Sequence, residues 1–396
     1  MHIPRSQETL PFPPIPFRGG IVFDENPMVS ITVCVRDGVD WVDECLESLA
    51  SQTYRPLEII AIDDGSSDGS KEKLLAWHDE EREIPIRILT QEAKGLSAGR
   101  QLAVKKAQGE WVAITDIDVR PEPDWITNMV LEIQPIDQQE KIVAVTGRTV
   151  FEHAGDVVSR VRSVEIETKY RSRPRRTSLA NGPCSMFERE SLLEIGGFNP
   201  RWYHAEDMEV SLPLIANGGV IVYAPDAVVH HVPEIKSTRF LAKRRRDARA
   251  HIRILRHFPR RKRLGPELDF IGSSTFVLTI FPLWIMALVS GIPFLFSFLT
   301  QPDWSWEVAK TWWETRLLLA TLGLMVIHEF VLWRGPLGVV NRGAIKQGKL
   351  SLMTIFKIRN LTLRWSIALW QGMFLGIIDA LRGKNGHRKL FGKKQK

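Results

Sequence analysis

Two carboxylates, Asp116 and Asp118, follow the apolar run from Trp111 to Ile114, with one residue between them. A short apolar run of this kind is typical of a buried strand, so the pair is expected at a strand exit. Paired carboxylates there can hold a hard divalent cation, which prefers oxygen ligands and keeps other positions open for phosphate groups. Aspartates are also common in turns, and on its own the pair favours a turn.

Two other segments carry polar groups that could bind a substrate. Asp63 and Asp64 end another apolar run in "IDDGSSDGS", where carboxylates can accept hydrogen bonds from a base or a ribose. The D-G and S-D-G steps also favour an ordinary turn. "KGLSAGRQLA" places Arg100 on an early helical turn, either as a binding cation or as a surface arginine.

Acidic and histidine pairs occur further along the chain. Glu206 and Asp207 begin an amphipathic helical stretch, where acidic residues are ordinary partners of the helix dipole. The stretch "APDAVVHHVPE" ends a strand with His230 and His231. A single histidine at such a position is more often structural, but a pair near a metal site is a candidate for function.

The elements between these segments predict how they are positioned. From residue 29 to about 235, the strand-like runs "SITVCV", "LEIIAID", "IPIRILT" and "EWVAIT" alternate with helical stretches. This order predicts a parallel sheet with helices on its faces. Ligands of such sheets bind beyond the carboxyl ends of the strands. The loops with Asp63 and Asp64 and with Asp116 and Asp118 both fall there, so we expect them to form one site.

Composition and charge limit the class of protein. The chain has 396 residues, 44% of them apolar and 25% charged, which indicates a globular protein. The net charge of +7 is concentrated after residue 235 and at the C-terminal end, and suits either nucleic acid or an acidic membrane surface. Cys34, Cys45 and Cys184 have no C-x-x-C spacing and indicate a reducing compartment. Residues 1–28 are proline-rich, show no signal peptide and are expected to form an extended arm.

Long apolar runs follow the basic segment 236–268. Phe270 to Pro302 contains no Asp, Glu, Lys or Arg and exceeds the ~20 residues needed to span a bilayer. Leu317 to Trp333 is a second, shorter candidate that carries His328 and Glu329. We predict two transmembrane helices within residues 269–334. The run "WSIALWQGMFLGIID" is too short to cross comfortably and is expected to lie at the interface.

The charges flanking these runs predict the orientation. Positive residues prefer the cytoplasmic side, which places residues 236–263 there, and residues 335–396 become a cytoplasmic basic loop, an interfacial helix and a basic tail. The protein is therefore expected to be a multi-pass protein of the cell membrane with its catalytic domain in the cytoplasm. Because the basic segment adjoins a spanning run, anionic lipid headgroups are favoured over nucleic acid, and a phosphate-bearing substrate is a further option.

Taken in order, the motifs resemble those of a known family. Strand–DDGSSD, KGLSAGR, strand–TDID, NG–GGF–AED and VVHHVP closely resemble glycosyltransferase family 2, the inverting GT-A enzymes, over about residues 29–256. The resemblance implies an α/β fold with a GT-A domain, Rossmann-like with a mostly parallel sheet, at residues 29–235. A C-terminal transmembrane helical region is expected to follow it.

The resemblance also implies residue roles. The family's DDGS turn holds the nucleotide, which corresponds to Asp64 with Asp63 nearby, and Arg100 lies in the GLSAAR-like segment. The D-x-D corresponds to Asp116 and Asp118, with Asp118 expected as the direct ligand of Mg²⁺ or Mn²⁺.

The last two motifs supply the base and a histidine. The ED motif corresponds to Glu206 and Asp207, with Asp207 as the catalytic base. A histidine near the metal and the diphosphate corresponds to His230 or His231, and the sequence does not choose between them. Both carboxylate roles are chemically coherent, because an acceptor hydroxyl needs a base and a departing diphosphate needs a dication.

One departure from the family pattern is informative. Processive members carry Q-x-x-R-W after the ED helix, whereas this chain has "FLAKRRRDARAHIRIL" with no such tryptophan. Transfer of a single sugar is therefore expected. Arg244 to Arg246 either contact the diphosphate or face lipid.

The sequence thus predicts a membrane-anchored, metal-dependent inverting glycosyltransferase. It would move one sugar from a nucleotide-sugar, a UDP-sugar, to a hydroxyl of a lipid-linked or growing surface glycan at the cytoplasmic face, with no nucleic-acid partner. Two alternatives stay open. One is a polyisoprenyl-phosphate glycosyltransferase, whose acceptor oxygen needs little help from a base. The other is an inactive, membrane-tethered scaffold that binds nucleotide-sugars.

Overall fold

The computed structural model describes residues 26–135, 140–202, 204–259, 277–301, 305–348 and 350–383. Most of the predicted N-terminal arm and almost all of the predicted basic tail lie outside these ranges. Part of the predicted basic segment, from residue 260 onwards, also lies outside them.

A nine-stranded sheet occupies residues 29–231. Its strands are β1 (Val29–Val35), β2 (Leu57–Asp63), β3 (Ile86–Thr90), β4 (Trp111–Asp116), β5 (Val119–Pro121), β6 (Ile142–Phe151), β7 (Arg176–Thr177), β8 (Ser185–Glu188) and β9 (Val220–His231). The spatial order is β3-β2-β1-β4-β8-β6-β9-β5, with β7 also paired to β9.

The sheet is parallel in one half and mixed in the other. Strands β3, β2, β1 and β4 pair in parallel, as the alternating sequence pattern predicts. Strand β8 then runs antiparallel between β4 and β6, and β5 runs antiparallel to β9. The short strands β5, β7 and β8 carry too few residues to give a pattern of their own, which is why the sequence predicted a more uniformly parallel sheet.

Helices cover both faces of this sheet. They are α1 (Val42–Ala50), α2 (Ser70–Ala76), α3 (Leu96–Lys106), α4 (Trp125–Leu131), α5 (Val157–Arg171), α6 (Arg189–Glu194) and α7 (Glu206–Ala216). Successive strand residues point to opposite faces, so Ile59 and Ala61 join one apolar cluster and Ile60 and Ile62 join the other. All seven residues of β2 are buried, and burial on both faces explains the unbroken apolar run from Ile59 to Ile62.

The C-terminal part is helical. Its elements are α8 (Ser237–His257), α9 (Ile280–Thr300), α10 (Trp306–Ala309), α11 (Trp313–Arg334), α12 (Pro336–Lys346) and α13 (Leu352–Leu381). Three of these helices, α9, α11 and α13, are long and apolar enough to cross a membrane. Large apolar side chains such as Val289, Ile292 and Val326 are exposed on α9 and α11, which indicates association with a membrane.

The length of the last helix corrects one prediction. The sequence placed only the run "WSIALWQGMFLGIID" in an apolar element too short to cross, whereas α13 has 30 residues. Lys357, Arg359, Arg364 and Asp379 interrupt its apolar pattern without ending the helix. Arg359 pairs with Glu329 of α11 and Asp379 pairs with Arg249 of α8, so the charges of Arg359 and Asp379 are compensated by neighbouring helices.

Helix α13 packs tightly along α8. A Cβ atom on Gly372 would lie 2.1 Å from the Arg245 carbonyl oxygen, and one on Gly376 would lie 2.8 Å from Cβ of Ile252. The two glycines therefore allow backbone contact that larger residues would prevent. Helix α12 packs on α5 in a similar way, through Gly343 against Val164. Helices α13 and α12 thus pack against α8 and α5, which also border the site described next.

Candidate active site

A cleft of about 1350 Å³ opens where β1 and β4 end. Its walls come from the ends of β1, β4 and β9, the start of α7, and the helices α5 and α8. Sites for one small ligand measure roughly 300–1000 Å³. The cleft is therefore large enough for two substrates side by side.

The D-x-D aspartates lie on the floor of this cleft. Asp116 is the last residue of β4 and pairs in register with Cys34 of β1. Asp118 follows in the turn to β5, and its carbonyl accepts a hydrogen bond from the amide of Val232 at 3.1 Å. The order strand, aspartate, turn, aspartate is the arrangement that the sequence predicted, and both residues line the cleft.

The structure separates the two histidines. Nε2 of His231 lies 3.6 Å from Oδ2 of Asp118, and His231 lines the cleft. His230 instead pairs with Glu122 at 3.0 Å on the opposite face of β9, as expected for consecutive strand residues. The sequence could not choose between these neighbours, because the choice depends on the register of β9 in the sheet.

The chemistry of His231 and Asp118 fits a divalent cation. A backbone carbonyl can only accept, so Nδ1 of His231 donates to the Val232 oxygen at 2.8 Å, and Nε2 keeps its lone pair towards Asp118. Burial lowers the pKa of His231, which keeps the ring neutral, while the Asp118 charge opposes that shift. Within the described ranges, no three His, Cys, Asp or Glu side chains gather as a metal cage. Mg²⁺ typically takes one or two carboxylates and completes its shell with water and substrate phosphates.

Arg100 is buried between the two acidic motifs. Its guanidinium donates to Asp116 at 2.9 Å and to Glu206 at 2.6 Å, and to the Gly182 carbonyl at 3.2 Å. The side chain is only 2% exposed. Burial raises the pKa of Asp116, and the Arg100 charge works against this shift. Arg100 thus joins the D-x-D strand to the ED helix, and its role in binding the nucleotide remains a prediction.

The ED pair begins α7, as the sequence predicted. Asp207 accepts hydrogen bonds from the amides of Met208 at 2.9 Å and Gly182 at 3.3 Å, and it lines the cleft. Burial, followed by the nearby charge of Glu206, raises the pKa of Asp207 to about 6, while Arg100 lowers it. A carboxylate of this kind is suited to accept a proton near neutral pH.

The two residues before the pair have an unusual backbone. His204 and Ala205 have φ angles of 68° and 61°, in the left-handed region. Each such residue costs about 1–3 kcal/mol and persists only where the surrounding structure enforces it, and such residues cluster at functional sites. The step sets the direction in which α7 leaves the loop, and therefore where Asp207 lies.

Asp63 and Asp64 are buried beside the cleft, and both carboxylates accept hydrogen bonds from the protein itself. Asp64 accepts from the side-chain amide of Gln91 at 2.7 Å and from the backbone amides of Lys94 and Gly95 at 2.8 Å. Asp63 accepts from the Ser66 amide at 3.2 Å, and both aspartates are buried. Their carboxylates hold the loops beside the cleft. Their contact with a nucleotide remains a prediction.

Other residues reach the cleft without a sequence motif that marks them. Arg36, Asp37 and Trp41 line it just beyond β1. The signal that could have identified them is their position, since the loop after the first strand of a parallel sheet lies at the ligand edge. The basic side chains of α5, such as Arg162 and Lys169, line the opposite wall and belong to no motif.

Comparison with known proteins defines the class. Residues 30–196 match the family described as "Glycosyl transferase family 2". The chain is 32% identical over 113 residues to glycosyltransferase GlyG of Streptococcus pneumoniae, covering 28% of this chain and 37% of that protein. It is 24% identical over 211 residues to poly-beta-1,6-N-acetyl-D-glucosamine synthase of Staphylococcus aureus, covering 52% and 50%.

A solved structure shares the fold. The mannosyltransferase PcManGT from Pyrobaculum calidifontis, solved in complex with GDP-Man and Mn²⁺, superposes with a TM-score of 0.50 at 18% identity, over 91% of this chain and 89% of that one. At this identity the likeness concerns the fold.

The chain thus contains an α/β domain with the GT-A fold, followed by apolar helices. Its residues 30–196 match glycosyltransferase family 2, the family that the resemblance implied. The chain spans about a third of the length of the curated relatives that match it first.

Proposed function

We propose that this protein is a metal-dependent, inverting glycosyltransferase that moves one sugar from a UDP-sugar to a hydroxyl of a lipid-linked or growing surface glycan. The observation that carries the proposal is the meeting of Asp118, His231 and Asp207 on one cleft. A cation-binding pair and a carboxylate with a pKa raised to about 6 are the two chemical functions that such a transfer requires.

Asp207 performs the proton transfer in this proposal. Its carboxylate takes the proton of the acceptor hydroxyl while that oxygen forms a bond to the anomeric carbon of the donor. The bond from this carbon to the diphosphate oxygen breaks, and the nucleoside diphosphate leaves with the electron pair. Since the acceptor attacks from the side opposite the leaving group, the anomeric configuration inverts. Arg100 keeps the strand of Asp116 and the helix of Asp207 in fixed relation.

Asp118 and His231, with Asp116 beside them, would hold Mg²⁺ or Mn²⁺ together with the donor diphosphate. The bound ion would act as a Lewis acid that neutralises charge on the leaving group. The fit rests on the free lone pair of His231 and on the place of Asp118 at the cleft floor. The related fold solved with Mn²⁺ supports the same choice of ion.

The acceptor would occupy the wall formed by α5 and α8. This wall is strongly basic, with eight arginine or lysine residues against Glu165 and Asp247. Leu375 of the apolar helix α13 also lines it. A basic wall that ends at an apolar helix suits an acceptor with an anionic group on an apolar tail, such as a lipid-linked glycan. The positive flanks of the apolar helices support a cytoplasmic location for this reaction.

Sugar transfer by the purified full chain in detergent tests the proposal. Radiolabelled UDP-sugars, with GDP-sugars for comparison, are incubated with Mn²⁺ or with EDTA and an extract of lipid-linked acceptors. Transfer that EDTA abolishes is expected from a UDP-sugar. Asp207→Asn should lower it by about 10²–10⁴-fold, because a general base contributes that much. Asp226→Asn, an exposed carboxylate outside the cleft, is the matched control. Metal-independent transfer, or full activity of Asp207→Asn, contradicts the proposal.

The basic wall also favours a second candidate. A polyisoprenyl phosphate would suit it, and a phosphate oxygen needs no base. In that case polyprenyl phosphate accepts the sugar directly, and Asp207→Asn retains most of the activity.

A further inference from the structure

Residues 204–205, which precede the proposed base Asp207, are contacted by side chains of helix α8. His204 and Ala205 adopt the left-handed conformation, and neither is glycine. L-residues leave that region readily unless contacts hold them there. The contacts of His204 therefore decide whether α7 starts where the cleft needs it.

Those contacts come from charged side chains of α8. Nε2 of His204 lies 2.6 Å from Oδ1 of Asp247, and the other oxygen of Asp247 accepts from Arg244 at 2.9 Å. Arg253, further along the same helix, donates to the His204 carbonyl at 3.5 Å. Asp247 thus contacts the side chain of a residue 43 positions earlier in the chain.

Helix α8 is itself fixed on two sides. Arg244 lies 3.7 Å from Glu165 of α5. Arg249 forms a two-pronged pair with Asp379 of α13, with distances of 2.6 and 2.9 Å. A bidentate ion pair of this type fixes the relative orientation of the two helices as well as their distance. Asp247 therefore presents its carboxylate from a rigid support.

We propose that Asp247 is a positioning residue: its contact with His204 holds the left-handed step that sets Asp207 in the cleft. The inference rests on the proposed function through the role of Asp207.

Kinetics of variants in the full chain separate positioning from a general structural role. Asp247→Asn keeps the side-chain shape and removes the charge. It should lower kcat roughly 10- to 100-fold, since small displacements of a reacting group are that costly. The KM for the UDP-sugar should change less than about two-fold, because donor binding is untouched. Glu58→Gln is the matched control: it removes a buried carboxylate of β2 that pairs with Arg87 and lies outside the cleft.

A second substitution tests the backbone explanation. Glycine adopts the left-handed region without penalty, so Ala205→Gly in the Asp247→Asn background should restore part of kcat. Three results would overturn the proposal: equal losses in Asp247→Asn and Glu58→Gln, a rise in acceptor KM with kcat unchanged, or a double variant no more active than Asp247→Asn.

Amide exchange gives a readout that does not need activity. The amide of Glu209 donates to the Ala205 carbonyl at 3.1 Å, in the first turn of α7. Asp247→Asn should speed exchange in peptides that span residues 204–212, whereas Glu58→Gln should not. If the wild-type chain transfers no sugar but this difference is found, the proposed function fails and the positioning contact stands. Unchanged exchange in Asp247→Asn contradicts the contact's role.

Discussion

The Arg100 guanidinium donates to the Glu206 carboxylate at 2.6 Å, and both side chains are buried. A second donation, to Asp116 at 2.9 Å, makes the same arginine the link between the D-x-D strand and the ED helix. The two acidic motifs would repel each other in a buried site without a cation between them. The arrangement of the proposed metal-binding and proton-accepting groups therefore depends on one side chain.

Removal of this arginine should destabilise the protein. Arg100→Ala leaves two acidic groups without their buried partner, which costs about 3–5 kcal/mol in the free energy of unfolding. Urea unfolding followed by tryptophan fluorescence measures the change. Lys73→Ala, which breaks the exposed Lys73–Asp43 pair, is the control and should cost less than about 1 kcal/mol. An Arg100→Ala protein as stable as the wild type would refute the linking role.

Sequence patterns act over a few neighbouring positions, and this short range decides what they can predict. Local patterns located β1, β2, β4 and the start of α7, because apolar runs and turn residues act over a few positions. They also placed Asp116, Asp118 and Asp207 at the ends of those elements. The sequence could not predict the partners of Arg100 and Asp64. Glu206, for example, lies 106 positions from Arg100, and no local pattern encodes such a pair.

The same limit explains what the sequence analysis left open or missed. The choice between His230 and His231 depends on the register of β9 against β5 and β6. The full length of α13 was missed because Arg359 and Asp379 have partners on other helices, and the sequence shows charges without showing partners. Asp247 lies in a basic stretch of the sequence, and its contact with His204 depends on how α8 packs.

The two histidines should respond differently to substitution. His231→Ala removes a nitrogen 3.6 Å from Asp118 and should raise the Mn²⁺ concentration for half-maximal activity roughly ten-fold or more. His230→Ala is the natural control, because His230 faces Glu122 on the other side of the strand. It should change that concentration by less than about two-fold. Metal titrations of transfer activity measure both values, and equal effects would contradict the assignment.

The close packing of α8 and α13 should not tolerate an added methyl group at Gly372. Gly372→Ala would place Cβ 2.1 Å from the Arg245 carbonyl oxygen, so the helices must separate. A loss of about 1–3 kcal/mol is expected, as for overpacked cores. Gly323→Ala in α11 meets nothing within 4 Å and should be neutral or slightly stabilising. Thermal unfolding in detergent compares the two variants, and an unchanged midpoint for Gly372→Ala would show that the helices do not depend on this contact.

The pH dependence of transfer should report Asp207. Burial, followed by the Glu206 charge, raises its pKa to about 6, and Arg100 acts in the opposite direction. A base works only when it is unprotonated, so kcat/KM should fall about ten-fold per pH unit below this value and level off above it. Glu206→Gln removes the neighbouring negative charge and leaves Arg100 to act on Asp207, so the acid limb should move to lower pH. Glu209→Gln, in the same first turn of α7 but not among the charges that act on Asp207, is the matched control and should leave the limb in place. A profile that is flat from pH 5 to 8, or a limb that Glu206→Gln moves to higher pH, would exclude Asp207 as the proton acceptor.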